Sequence, residues 1–359
     1  INSKIVESIR EVLYDNDNYR RKFLNSIGKK IYKEWNPEKT DEWVRLTFLG
    51  SARQVGRSCM LLQTPNSKVL LDCGVDVSAH GEEKFPYFNI PEFDLNQLDA
   101  VILSHAHIDH SGFVPYLYKM GYRGPIYMTP PTRDISALLA LDFISVAYKQ
   151  AEAPLFSSSD IKEMVKHSIC LNYNEVTDVT SDIRLTFVNA GHVLGSAMAH
   201  LNIGNGAHNL LYTGDYKYGK TRLLDPAVTN FPRLESVITE STYGAKTDVL
   251  PPRLEAEGKL IELINKTLSR GGKVLIPELG LGRAQETMMI LEDAIKTGKM
   301  ENIPVYIDGM IWDINAIHTA YPDFLSNSLK SLTFADKNPF TSEVFSRVGS
   351  PQERKKVIE

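Results

Sequence analysis

The chain has 359 residues, a hydrophobic content of 43%, a charged content of 23% and a net charge of −4. This is the composition of an ordinary globular protein, long enough for two domains and a fragment of a third. There is no apolar run of roughly 18 residues and no apolar core in the charged N-terminal stretch, so neither a membrane span nor a signal peptide is expected. Cys59, Cys73 and Cys170 are too few and too widely spaced for a disulfide framework or a CxxC zinc knuckle, and a cytoplasmic location fits best. Without a global excess of positive charge, any nucleic acid has to be met by a local groove or a separate module.

Along the chain, Ile5, Ile9, Val12 and Leu13 share one helical face, and Tyr19, Phe23, Leu24, Ile27 and Ile31 continue it. The spacing predicts helix over residues 1–35, divided at residues 16–18. Arg20, Arg21, Lys22, Lys29, Lys30 and Lys33 make this stretch basic, either as a solvated helix face or as part of an RNA-binding module. From residue 44 the rhythm changes to short strands at 44–49, 59–63 and 69–72, with Pro65, Asn66 and Ser67 turning the last two into a hairpin. Further strands are expected at 100–104, 126–129, 184–189, 199–203 and 210–213, with a one-sided apolar helix at 132–148. That alternation suits a sheet sandwich with helices outside. After residue 246 the pattern becomes helix 254–268, strand 273–277, helix 283–296 and strand 305–308, as in a parallel βαβ sheet.

The chemistry is concentrated where the strand AVILS runs into HAHIDH. Alternation aims His105 and His107 at one point, while Asp109 and His110, on the next bend, reach a second. Imidazole nitrogen and carboxylate oxygen are the ligands zinc takes in catalytic sites, and so many ionisable groups make poor core residues. His192 (in NAGHVLGSA) and Asp215 (in YTGDY) sit in later strand-end turns flanked by glycine, which lets backbone approach a metal. Asp72, ending the strand of LLDCG, is placed to orient a histidine from behind. His80, His167, His200, His208 and His318 lack such a context and read as surface or packing residues. Farther on, Gly280 and Gly282 precede a helix that starts at Arg283, where a phosphate could meet backbone N–H groups and a guanidinium. An ordinary loop with a structural arginine is the other reading.

In this order, LLDCG, HAHIDH, GHVLGSA and TGDY resemble the metallo-β-lactamase superfamily. TESTYG and IPELGLGRAQE resemble the β-CASP nucleases within it, and LGSARQVGRSC, YIDGMIW and AIHTAYP are similar to the archaeal members related to cleavage-and-polyadenylation-specificity-factor nucleases. The resemblance spans essentially the whole chain. It implies an α/β fold: a metallo-β-lactamase αββα sandwich (residues 44–245) with an inserted α/β β-CASP domain (246–359), incomplete at the C-terminus. Residues 1–43 would be the tail of a KH-like RNA-binding region. It implies two zinc ions: His105, His107 and His192 on one, Asp109 and His110 on the other, Asp215 bridging, and Asp72 supporting from behind. Glu240 would pair with a histidine serving as general acid. The implied activity is a zinc-dependent endoribonuclease, with 5′-to-3′ exonuclease action in some members, working in transcript 3′-end formation and transcription termination. Its implied partners are RNA, a second copy of the chain and RNA polymerase or the elongation machinery. The family pattern needs two further histidines downstream of Glu359, and no GxxG loop of a KH domain is present. The chain is therefore expected to be a fragment, inactive by itself, whose active site lies between the two parts. The competing readings are a metallo-β-lactamase-fold hydrolase of a small ester or thioester, disfavoured by the βαβ insert, and a non-catalytic RNA-processing scaffold.

Overall fold

A computed structural model describes residues 4–33 and 43–359. They form two compact units, one from the described residues between Lys4 and Tyr218 together with Pro226–Glu240, the other from Gly219–Asp225 and Ser241–Glu359. No helix among the described residues is long and apolar enough to cross a membrane.

In chain order the first unit contains helices α1 (Lys4–Tyr14) and α2 (Asp17–Lys33), then strands β1 (Arg45–Phe48), β2 (Met60–Gln63), β3 (Lys68–Leu71) and β4 (Ala100–Ile102). There follow α3 (Ile108–Ser111), α4 (Val114–Lys119), β5 (Ile126–Met128), α5 (Pro130–Lys149), α6 (Ser158–His167) and β6 (Ser168–Cys170). Strands β7 (Val176–Asp178), β8 (Ile183–Asn189), β9 (Ala197–Ile203), β10 (His208–Tyr212) and β11 (Ser236–Ile238) complete it. Strands β1 to β6 form one sheet in sequential order, and β7 to β11 a second. The hairpin closes as its turn residues require, with the Thr64 amide donating to the Ser67 carbonyl at 2.9 Å and Gln63 opposite Lys68.

Two apolar layers hold this unit. Leu62, Val69 and Ile102 meet Leu185, Phe187 and Leu201 between the sheets. Their chain neighbours Leu61, Leu70 and Val101 point the other way, onto Leu117, Tyr118, Ile161 and Met164 of the helices. A strand buried on both faces has to be apolar at successive positions, which is why MLL, VLL and AVI read as unbroken runs. The outer face of the second sheet, at Val188, Met198 and Leu211, packs against Ala227, Phe231 and Leu234.

The N-terminal helices break after Tyr14, at the edge of the expected interruption. Ile9 enters the helix-side core and Phe23 packs edge-on against His167, with ring centroids 4.8 Å apart. Arg20 donates to the carbonyls of Lys166 (2.7 Å) and Ser168 (3.2 Å), Lys30 pairs with Asp99, and Arg21 donates to Asn18. Two of the six basic residues, Arg20 and Lys30, thus hold α2 against the rest of the unit, while Lys22 and Lys29 face solvent. The side chain of Lys33 and residues 34–42, within the predicted helix and tail, lie outside the described residues.

The second unit contains α7 (Arg253–Leu268), α8 (Arg283–Lys296), β12 (Val305–Ile307), α9 (Ile311–Ala320), α10 (Asn327–Phe334), β13 (Phe345–Arg347) and α11 (Pro351–Ile358). Ile264, Leu291, Ala294 and Met300 bury the seam between α7 and α8. β12 pairs with β13 in parallel, Val305 opposite Phe345, across an intervening helical crossover. One expectation fails here. Residues 273–277 (KVLIP) form no strand, and Leu275 is 90% exposed. A strand is made by hydrogen bonding to a neighbour, and among the described residues this unit's only sheet is the β12–β13 pair.

Candidate metal centre

Each expected ligand stands just past the end of a strand. Ala100–Ile102 delivers Ser104 and His105, β8 delivers His192, and β10 delivers Asp215. The short helix α3 turns His110 back towards Asp72, with the His110 amide donating to the His107 carbonyl at 2.9 Å. Gly74 lets the LLDCG turn lie directly on α3, since a Cβ there would sit 1.7 Å from the Asp109 carbonyl oxygen. Gly195, at φ +77°, exposes a carbonyl that accepts from Thr129 Oγ1 (2.7 Å) and Thr132 Oγ1 (3.1 Å), which pins the loop carrying His192 to the start of α5.

One ligand atom each from His105, His107, His192 and Asp215 lie within 4.8 Å of one another. His107 Nδ1 is 3.1 Å from His105 Nε2 and 3.2 Å from His192 Nε2, and Asp215 Oδ2 is 3.6 Å from His192 Nε2 and 3.9 Å from His105 Nε2. Four atoms disposed tetrahedrally about zinc at about 2.0–2.1 Å would be roughly 3.3 Å apart, so the donor set and its spacing fit that ion. The other oxygen of the same carboxylate, Asp215 Oδ1, faces His110 Nε2 at 3.4 Å, and Asp109 Oδ2 is 3.7 Å from that nitrogen. Asp215 therefore presents one oxygen to each of two neighbouring positions. Asp72 lies behind His110, its Oδ2 2.7 Å from Nδ1.

The electrostatics follow from burial set against the neighbouring carboxylates and imidazoles. Burial, reinforced by the charges of His110, His107 and His192, holds the His105 pKa well below its usual value, which keeps its imidazole neutral. Burial alone would raise the Asp215 pKa, but its hydrogen bond to His110 and the charges of His110, His192 and His107 bring it down to about 2. Burial would likewise depress His110, yet its hydrogen bonds to Asp215 and Asp72, with the charges of Asp72 and Asp109, hold it well above its usual value. His107, His192, Asp109 and Asp215 are only half-buried, so the cluster opens to solvent on one side.

Glu240 follows β11, which runs parallel to β10, and its carboxylate accepts from the Tyr216 amide at 3.4 Å, next to Asp215. Arg283 opens α8 in the second unit with an exposed side chain. There Gln285 accepts from the Gly282 amide (2.8 Å), and Glu286 accepts from the amides of Arg222 (2.8 Å) and Leu223 (2.9 Å), so the helix start is tied to the 219–225 segment. Among the histidines read as packing residues, His167 and His318 are fully buried.

Sequence reading missed Ser104 and Tyr212. Both donate to Asp72 Oδ2, at 2.7 and 2.5 Å. The available signal was a hydroxyl residue closing an apolar strand immediately before HAHIDH.

Residues 61–242 match the family described as the metallo-beta-lactamase superfamily domain, and residues 284–359 match the Beta-Casp domain. The chain is 53% identical over 362 residues to transcription termination factor FttA of Methanothermobacter thermautotrophicus and 51% identical over 360 residues to FttA of Methanocaldococcus jannaschii, each match covering 100% of this chain and 56% of the relative. FttA of a Lokiarchaeum strain is 48% identical over 357 residues, covering 99% of this chain and 56% of that protein. The chain thus spans little more than half the length of the curated relatives it matches. With its strand-end histidines and carboxylates gathered at one edge of a two-sheet sandwich and a Beta-Casp match following, the chain belongs to the metallo-beta-lactamase superfamily.

Proposed function

We propose that this chain is the metal-binding part of a zinc-dependent ribonuclease that cuts RNA phosphodiester bonds in archaeal transcript 3′-end formation and transcription termination. The observation that carries the reading is the two-faced carboxylate: Asp215 turns Oδ2 to His105 and His192 and Oδ1 to His110. In a one-ion site that second oxygen would serve only as a hydrogen-bond acceptor, whereas with Asp109 and His110 beside it a second ion can be held, and a pair of ions a few ångströms apart suits phosphoryl chemistry. His105, His107, His192 and Asp215 would hold one zinc, and Asp109, His110 and Asp215 the other. Zinc held there supplies Lewis acidity towards phosphoryl oxygens and acidifies water to near neutrality. The chain's own part is to keep His105 neutral, fix the directions of the imidazoles, and leave the Asp109–Asp215 side open to a polyanion. Glu240, held beside Asp215 by the Tyr216 amide, is the carboxylate that would orient a proton donor. Arg283 would hold an RNA phosphate, and α1 and α2 would be the end of an RNA-binding region. A cytoplasmic location, pairing with a second copy and association with the transcription machinery go with this reading, which the name of the FttA relatives supports.

The test is cleavage of end-labelled RNA by the full-length protein after chelation and after readdition of zinc. Loss on chelation with recovery on zinc is the expected result. Cleavage that survives complete metal removal, or RNA left uncut by the zinc-loaded protein, would overturn the proposal.

A further inference from the structure

Asp72 is wholly buried, and four donors converge on it. Oδ1 accepts from the Ser104 amide at 2.7 Å. Oδ2 accepts from Ser104 Oγ (2.7 Å) and Tyr212 Oη (2.5 Å), with His110 Nδ1 at 2.7 Å. Facing only donors, the carboxylate acts as an acceptor, so His110 keeps a proton on Nδ1, and Nε2 is the nitrogen turned towards Asp109 and Asp215.

The hold of Asp72 reaches one group farther. A serine hydroxyl has a single proton, and here Asp72 takes it. The hydroxyl oxygen also lies 3.0 Å from His105 Nδ1. Having given up its proton, it can only accept, so His105 must carry its own proton on Nδ1. His105 is fully buried, so no solvent water can replace that acceptor. Its Nε2 is then left bare, and this is the nitrogen that faces His107 and Asp215. Gly214 keeps the space for this arrangement, since a Cβ there would stand 2.5 Å from Ser104 Oγ.

We propose that Ser104 is a positioning residue that extends the hold of Asp72 to His105, so that one buried carboxylate fixes a proton on Nδ1 of the imidazole in both metal positions, directly in one and through a hydroxyl in the other. This rests on reading the cluster as a metal centre. It has a consequence that an independent anchor for each histidine would not have. Loss of the hydroxyl loosens only the His105 position, whereas loss of the carboxylate's charge loosens both.

The experiment uses the full-length protein, with 15N-labelled histidines followed by long-range 1H–15N correlation in the metal-free state and zinc binding followed against a competing chelator. In the parent, His105 is expected as the Nδ1-protonated tautomer and His110 with a proton on Nδ1. Ser104→Ala should leave His110 unchanged, let His105 sample both tautomers, and weaken zinc at the His105 position about 10- to 100-fold, the usual cost of losing an orienting partner. That variant keeps the amide, His110 and Tyr212 on Asp72, so the fold has its remaining hydrogen bonds. Ser104→Thr retains the hydroxyl and should restore both readouts, and Asp72→Asn should weaken both metal positions. A parent His105 protonated on Nε2 would overturn the relay. So would a Ser104→Ala protein whose His105 tautomer and zinc affinity are both unchanged. If no variant binds zinc, the metal reading fails, while the metal-free tautomers still decide the relay.

Discussion

Residues 69–71 (VLL) and 273–277 (KVLIP) look alike as sequence, both short and mainly apolar with Val-Leu at their heart, yet they end differently. In the first unit Val69, Leu70 and Leu71 are fully buried, paired with β2 on one side and β4 on the other and covered on both faces. In the second unit residues 273–277 are unpaired, with Leu275 90% exposed. Apolar pattern supplies a strand's faces, but its edges come from other segments, and among the described residues these meet residues 69–71 and not residues 273–277. The metal cluster belongs to the unit whose strand ends are fixed on both sides, as a site held to within fractions of an ångström requires.

The largest effect that tests this contrast is at the cluster itself. His107→Ala in the full-length protein removes the imidazole whose Nδ1 lies near both His105 and His192. Zinc affinity should fall by more than the 10- to 100-fold typical of outer-shell losses, and RNA cleavage should vanish. Metal analysis after dialysis, run beside labelled-RNA cleavage, reads both, and a variant that keeps its metal would show that the strand ends do not define the site.

Next in size is the core beneath it. Leu70→Ala, at a position with no exposure, should cost about 2–5 kcal/mol in urea unfolding. A cost under about 1 kcal/mol would mean that the sandwich is less closely packed around its strands than its burial indicates.

The second unit has its own titratable marker. Burial lowers the His318 pKa to about 4, its Nδ1 hydrogen bond to the Ile314 carbonyl opposing only part of the shift. An unfolded histidine titrates near 6.5. Folded His318 therefore stays neutral through a range where the unfolded chain takes up a proton. Stability is full above pH 6.5 and should decline as pH falls to about 4, by about 3 kcal/mol in all. Trp312, in the same helix, is one of the three tryptophans whose fluorescence follows urea titrations at each pH. A His318→Leu variant should lose most of this acid sensitivity, and an unchanged pH dependence would assign it to other groups.

The smallest effect is expected where the exposed run has nothing to lose. Leu275→Ser should change the stability of this 359-residue chain by no more than about 0.5 kcal/mol. The same substitution in the full-length protein sharpens the comparison, because a cost above about 1 kcal/mol there would show that residues 273–277 have a neighbour outside these residues.

Much of the site was legible in the sequence because its parts are local. An apolar strand running straight into HAHIDH tells where four ionisable groups must emerge, and glycine beside His192 and Asp215 marks turns where backbone approaches closely. Resemblance to the superfamily supplied the ligand grouping, and the distances among His105, His107, His192 and Asp215 are consistent with it. The hairpin at residues 65–67 was readable from its turn chemistry, and α8 from its apolar period and the glycine before it. Other features lay beyond any local pattern. That Ser104 and Tyr212 meet on one oxygen of Asp72 depends on the parallel register of β3 on β4 and on a tyrosine from the opposite sheet crossing the core, contacts 32 and 140 residues apart in sequence. Whether residues 273–277 make a strand was decided in the same way, because a chain segment encodes its own side-chain faces while its hydrogen-bonding partners are chosen by the folding of everything around it.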